Sequence, residues 1–281
     1  MTKIDTARPF LNQMELCYVP PGPFWMGSGP DDKTAAASEH PQHLRELTAG
    51  YWVSRFAVSA SQFRAVGSTD TYQRRSSRPI VEIDWFEAIL YCEALTRRWH
   101  KELVLPDDWV VRLPTEIEWE KAARGGLQIP TAPVVAMIKD VPHMSLEAIG
   151  LKDNPHPKRR YPWGDQPSAQ QRRYHEADGA ALATLFMGGA TPYGCEDMAG
   201  NIWEWCLNKA QPNYENYLTE VTLTGEEARV VRGGAFDRMQ RFARCSFRYW
   251  HDPRFRFEMM GFRVVVVRAL TDEHPPIPVN N

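Results

Sequence analysis

Apolar and polar positions change rhythm several times along this chain, and no single period lasts long. Residues 14–26, MELCYVPPGPFWM, predict two short strands on either side of a Pro/Gly turn. Residues 27–43 are polar and predict a loop, after which residues 44–58 alternate well enough for a strand or two. SASQFRAV then opens with a capping-type Ser59 and turns helical. The clearest helix is IDWFEAILYCEALTRRW, with Asp84 as N-cap and a buried face predicted at Phe86, Ile89, Leu90, Cys92 and Leu95. LVLPDDWVVRLPTE predicts a loop. Thr115 and Glu118 then form a capping box for a short helix closed by Gly125 and Gly126. Residues 127–160 carry five prolines and little periodicity, and are expected to be a surface insertion. YPWGD predicts a tight aromatic turn, and residues 262–267 predict a buried strand.

The stretch from Arg232 to Arg263, RGGAFDRMQRFARCSFRYWHDPRFRFEMMGFR, fits neither period. Gly233, Gly234 and Gly261 permit backbone geometry or close approach that a side chain would block, so the segment is expected to begin and end on rigid elements. Between them lie two interleaved sets of residues. Arg, Gly, Cys and Pro look like scaffold. Phe236, Asp237, Arg238, Met239, Phe242, Phe247, Tyr249, Trp250, His251, Asp252, Arg254, Phe255, Phe257, Glu258, Met259 and Met260 look like contact surface. Aromatic, Met and Arg side chains are enriched at recognition hot spots. The alternative is that the rings fill a loop-rich core. Against that stand Arg238, Arg241, Arg248, Arg254 and Arg256, because an interior holds guanidinium groups only with partners.

Composition narrows the classes. The 281 residues suit one large or two small domains, and 10 Trp with 22 Pro suit an irregular, turn-rich fold. With 33 basic against 35 acidic residues, nothing points to nucleic acid or an anionic membrane. No apolar run is long enough for a membrane span. MTKIDTARPF lacks the apolar core of a signal peptide, which predicts a cytoplasmic protein unless export or phage association takes another route. Cys17, Cys92, Cys195, Cys206 and Cys245 have no CxxC spacing and are expected to be reduced and mostly buried.

Candidate chemistry is sparse. GSGPDDK lacks the spacing of a phosphate loop, and His40 with His43 has no third ligand nearby. Glu116, Glu118 and Glu120 fan around their helix, which favours solvated or helix-start roles over acid–base catalysis. In DMAGNIWEW, the carboxylates of Asp197 and Glu204 with the carbonyls of Gly200 and Ile202 can wrap a hard cation such as calcium. Equally, Trp203 and Trp205 can be core anchors while the carboxylates cap turns.

FWMGS, VSASQF, RPIVEIDWFEAILYCEAL, RLPTEIEWEKAARGG, YPWGD, YGCEDMAGNIWEW, RVVRGGAF, RCSFR and GFRVV occur in the order found in the formylglycine-generating-enzyme, or sulfatase-modifying-factor, family. The resemblance covers about residues 14–268 and implies one domain with an α+β, C-type-lectin-like fold, low in regular structure. Family enzymes of the formylglycine type carry two further cysteines between RGG and RCxxR that bind copper and oxidise a substrate cysteine. That stretch here is AFDRMQRFA, without cysteine, and Cys245 matches the scaffold cysteine of RCxxR. The related iron-dependent sulfoxide synthases draw histidines from an additional helical domain, which these residues do not include. The segment is more similar to the variable proteins of diversity-generating retroelements. There RGG, RCxxR, PxxR and GFR frame positions mutated at adenines, and this chain supplies Arg232, Gly233, Gly234, Arg244, Cys245, Arg248, Pro253, Arg256, Gly261, Phe262 and Arg263 as frame. The resemblance implies a non-catalytic binder of a protein or glycan ligand through residues 236–260, with no required cofactor; the calcium reading of residues 197–204 stands apart from it, with its alternative. A fixed binding or accessory domain is the alternative. Met239, Gln240, Trp250, Glu258, Met259 and Met260 are out of reach of adenine changes in asparagine codons, and imply other template codons or fixed positions.

Overall fold

The computed structural model describes residues 13–66, 77–166, 189–219, 221–235 and 240–269. In chain order the strands and helices are β1 (Glu15–Val19), β2 (Gly22–Met26), β3 (His43–Leu47), β4 (Tyr51–Ser54), α1 (Ala60–Ala65), α2 (Trp85–Lys101), β5 (Trp109–Arg112), α3 (Glu116–Arg124), β6 (Gln128–Pro130), β7 (Val135–Met137), β8 (Leu151–Asp153), β9 (Trp203–Lys209), β10 (Arg229–Arg232), β11 (Tyr249–His251), β12 (Met260–Gly261) and β13 (Val265–Arg268).

Each helix starts where the sequence offers a reciprocal cap. Ser59 with Gln62, Asp84 with Glu87 and Thr115 with Glu118 all form capping boxes that satisfy orphan backbone N–H groups. The apolar face of α2 is rotated from the expected one. Trp85, Ala88, Ile89, Cys92, Leu95 and Trp99 are buried, while Leu90 is 60% exposed and Phe86 lies at the boundary. A run of adjacent apolar residues fits two helical faces about 100° apart, and the two tryptophans decide between them.

Two sheets organise the rest. The five-stranded sheet runs β5-β13-β4-β1-β7, and the four-stranded sheet runs β11-β10-β9-β12. The central strand β4 is buried on both faces, with Trp52 in one apolar cluster and Tyr51 and Val53 in the other. Strand β5, inside the stretch expected to be a loop, pairs with β13 from Trp109 to Arg112. Its four residues lie between two turn signals, too short for a period to register. The insertion is partly structural. Its strand β7 extends the main sheet against β1, and Ile138 and Val141 reach the core. Among the described residues, no helix is long and apolar enough to cross a membrane.

The three glutamates of α3 are wholly buried and none is solvated, while Glu118 has the expected helix-start role, accepting from Thr115 N–H in the capping box. Glu118 forks onto Arg112 at 2.7 Å through both oxygens. Glu116 and Glu120, four residues apart, share a helix face and both meet Arg232. Spacing by two does separate neighbours around a helix, but arginines supply partners on each side: Arg112 from the preceding strand for Glu118, and the sequence-distant Arg232 and Arg248 for Glu116 and Glu120.

Candidate functional site

The segment after β10 is built on buried arginines. Arg232 places its guanidinium on Glu120 and donates to the carbonyls of Ser246 (2.8 Å) and Phe247 (2.5 Å). Arg244 forks onto Glu39, at 2.6 Å to each oxygen. Arg248 forks onto Glu116 at 2.7 and 2.8 Å. Arg263 forks onto Glu204 at 2.6 and 2.9 Å. Burial works against each of these four cations, yet the facing acidic groups outweigh it and raise every one of their pKa values. Fully paired, such guanidinium groups fix backbone position rather than expose charge. This corrects the use of Arg248 as an argument against a packed interior: the interior does hold it, because Glu116 is its partner.

Further along, backbone bonds take over. Trp85 N–H donates to the Pro253 carbonyl at 2.9 Å, Glu82 N–H to Phe257 at 3.0 Å and Trp203 N–H to Met259 at 2.7 Å. Arg256 reaches back to Asp84 (2.7 Å) and Glu87 (2.9 Å) at the start of α2. Gly261 is obligatory at its position, since a Cβ there would lie 2.2 Å from the Ile80 carbonyl oxygen. The segment is therefore held from below along most of its length.

What it presents is a run of rings. Phe242 and Phe247 lie 4.8 Å apart, Phe247 and Tyr249 each pack on Trp203, and Tyr249 stacks on Trp250 at 5.9 Å. Tyr249 meets His251 edge-on, His251 stacks on Phe255 at 4.2 Å, and Phe255 touches Phe257 at 5.9 Å. Tyr249 and Trp250 are 46% and 37% exposed, large values for such side chains. Asp252, Arg254 and Glu258 are exposed around them, and His251, Phe255, Phe257 and Phe242 are half-buried. Arg254 also meets Glu226 at 2.6 Å and lies over the ring of Phe86.

The expected contact set thus divides. Tyr249, Trp250, His251, Asp252, Arg254, Phe255, Phe257 and Glu258 come together on one surface at the edge strand β11 and the turn after it. Phe247, Met259 and Met260 face the core as its roof, because two of the anchoring points, the Arg232 bond to Phe247 and the Trp203 bond to Met259, turn the chain inward there. Phe236, Asp237, Arg238 and Met239 lie outside the described residues. Sequence reasoning missed Trp203 as the floor under the rings and Phe86 and Glu226 as its rim, since each comes from a different element.

The candidate cation ligands are also engaged. Both oxygens of Glu204 point at Arg263, and one also accepts the Trp119 indole N–H at 2.6 Å. A cation bound there displaces an ion pair, so Glu204 does not fit a calcium ligand in this arrangement. Asp197 accepts from Asn201 at 3.5 Å, with φ of 56° and 69° at the two residues, and Gly200 donates to the Gly233 carbonyl. Among the described residues, no group of three or more His, Cys, Asp or Glu converges as a metal site. Burial pushes the Cys245 thiol up to about 12 and Cys206 well above its usual range, which disfavours either as a thiolate nucleophile.

The sequence profile of the sulfatase-modifying factor enzyme 1-like domain matches residues 4–268. Hercynine oxygenase of Mycolicibacterium smegmatis is 31% identical over 199 residues, covering 66% of this chain and 37% of that protein. The formylglycine-generating enzyme of Thermomonospora curvata is 26% identical over 208 residues, covering 67% of this chain and 54% of that protein. The chain thus spans only 37% and 54% of the length of these curated relatives. Among solved structures, PvdO from Pseudomonas aeruginosa superposes with a TM-score of 0.62 at 21% identity, over 89% of this chain and 93% of that one. Treponema denticola variable protein 1 does so with a TM-score of 0.61 at 17% identity, over 89% and 94%. At these identities the structural likeness is one of fold.

Proposed function

This chain belongs to the sulfatase-modifying-factor family and has its α+β, C-type-lectin-like fold, and we propose that within that family it is a non-catalytic ligand-binding protein. In this reading it is a variable protein of a diversity-generating retroelement, and its binding surface is made of Tyr249, Trp250, His251, Asp252, Arg254, Phe255, Phe257 and Glu258, extended by residues 236–239. The observation that carries the reading is the division within one segment: Arg232, Arg244, Arg248 and Arg263 of the frame sealed into ion pairs, and Tyr249 and Trp250 with the half-buried rings beyond them standing at the surface. A paratope needs that division. Large aromatic side chains supply contact area at low entropic cost only where the backbone beneath them is already fixed.

The natural ligand in this proposal is a protein surface. Exposed and half-buried rings lie together there, and the charges around them, Asp252, Arg254 and Glu258, are of both signs, as at the rim of a protein interface. Randomising the eight described positions together tests the proposal. Variants are expected to keep the cooperative unfolding of the parent and to yield binders against unrelated proteins; a library that mostly fails to fold sinks it.

Catalysis of the formylglycine type is the second reading, favoured by the relatives that are enzymes. Against it, residues 235–243 contain no cysteine where the resemblance puts the copper-binding pair. Oxidation of a cysteine-containing peptide in the presence of copper is the direct check. Turnover above the copper-only background would favour the enzyme.

A further inference from the structure

We propose that Cys17 and Cys195 are a modification site, a thiol pair that closes to an intrachain disulfide when the chain meets a small-molecule disulfide such as oxidised glutathione. Cys17 sits in the middle of β1, opposite Val53 of β4 on one side and Val135 of β7 on the other. Cys195 ends a tight turn in which Thr191 N–H donates to the Cys195 carbonyl at 2.9 Å and Cys195 N–H donates to Thr191 Oγ1 at 3.2 Å. That turn presses on β1: a Cβ at Gly194 would lie 3.8 Å from Cys17 Sγ and 3.3 Å from Val135 Cγ2. Just beyond the contact, Glu196 N–H donates to the Arg55 carbonyl and Arg55 N–H donates to the Glu15 carbonyl, so the backbones carrying the two thiols are tied in register. The two thiols are neighbours inside the second apolar cluster, close enough for each to act on the other's ionisation, and both are wholly buried. Two neighbouring thiols on backbones held from both sides are placed to be bridged, as pairs far apart or pointing away are not.

The environment also sorts their roles. Burial opposes charge on Cys195, but the hydrogen bond from Cys17 and the nearby Arg263 guanidinium outweigh it and lower its pKa. The Cys17 thiol, as the donor in that bond and equally buried, is raised. Cys195 as thiolate attacks one sulfur of the oxidant, giving a mixed disulfide and releasing one thiolate. Cys17 then loses its proton, attacks Cys195 Sγ and expels the second thiolate. Both protein sulfurs are oxidised, the oxidant is reduced to two thiols, and the protons released by the cysteines end on them. Because both thiols are sealed in the folded chain, the exchange takes place through a local opening of the 191–195 turn that leaves β1 and Arg263 in place. The crosslink ties β1 to the connection that leads into β9, and so to Trp203 under the ring surface.

The test uses the wild-type protein, incubated with oxidised glutathione in urea just below its unfolding midpoint and returned to buffer. Alkylation under denaturing conditions and non-reduced peptide mapping by mass spectrometry then locate any link. The expected result is one crosslinked peptide pair joining Cys17 to Cys195, with Cys92, Cys206 and Cys245 alkylated. The oxidised form should melt roughly 5–15 °C above the reduced form, with dithiothreitol reversing the increment. Cys17→Ser and Cys195→Ser should each melt at the same temperature with and without oxidant. Full alkylation of all five cysteines in the oxidant-treated wild type, or a link joining any other pair, overturns the proposal.

Discussion

Arg248 grips Glu116 through two hydrogen bonds of 2.7 and 2.8 Å, both side chains sealed from solvent. The next residue along the chain is the exposed Tyr249. Within one peptide unit the segment passes from anchored scaffold to presented surface; at Arg256 the order is reversed, with an exposed guanidinium held on Asp84 and Glu87 between the half-buried rings of Phe255 and Phe257. Breaking the anchor should therefore act on folding. Glu116→Gln leaves a buried guanidinium without its counter-charge and is expected to cost about 3–5 kcal/mol of stability, measured by urea unfolding.

Replacing surface rings should do something different. Tyr249→Ala and Trp250→Ala are expected to change stability by no more than about 1 kcal/mol, whereas Trp203→Ala, which removes the buried floor, should cost about 3–5 kcal/mol. Phe255→Ala and Phe257→Ala should fall nearer the first group. Equal losses of melting temperature across both groups would contradict the separation of display from support.

Backbone approach gives a sharper test at Gly261. Its position leaves no room for a methyl group beside the Ile80 carbonyl, which is backbone and cannot rotate away. Gly261→Ala is expected to unfold the chain or lower its melting temperature by about 10 °C or more. Gly164→Ala is the control for space, because nothing lies within 4 Å of its Cβ direction, although its φ of +141° carries a backbone cost of its own.

The Arg244–Glu39 pair sets an acid limit on stability. Burial pushes the Glu39 carboxyl up, but the Arg244 guanidinium outweighs it and holds the carboxyl below its ordinary value of 4.5. A carboxyl depressed in the folded state binds its proton more weakly there than in the unfolded chain. Its contribution is complete above the ordinary value and is lost as pH falls through the depressed one. Asp32, also lowered and within reach of Arg244, acts in the same direction. Stability measured from pH 6 down to pH 2 should drop for the wild type. In Glu39→Gln it should start lower at neutral pH and fall less steeply.

Much of this fold was legible in the residues, and the illegible parts share a cause. The three capping boxes were readable because each is a local exchange of hydrogen bonds across three residues. Strand β5 was not, because its strand character comes from pairing with β13 more than a hundred residues later. The buried glutamates of α3 were misjudged for the same reason: Glu116 finds Arg248 and Glu120 finds Arg232 only after the chain has folded. At the site, the frame of Arg232, Arg244, Arg248, Arg256 and Arg263 was legible through the family resemblance of the segment, and the rings between from its composition. Which rings face outward was not. Phe247, Met259 and Met260 turn inward because of hydrogen bonds from Arg232 and Trp203, and no composition argument separates them from Tyr249 or Phe255.

Under the proposed function, the surface between the frame residues varies among copies of the gene while the frame stays constant. Sequencing codons 232–263 of this gene in many isolates or passaged cultures, together with the adjacent DNA, tests it directly. The account expects substitutions confined to positions such as 249–252, 254, 255, 257 and 258, an unchanging set of frame arginines and glycines, and an adenine-rich near-copy of the segment nearby. An invariant segment without such a copy, or substitutions falling equally on Arg232, Arg248 and Tyr249, would contradict it.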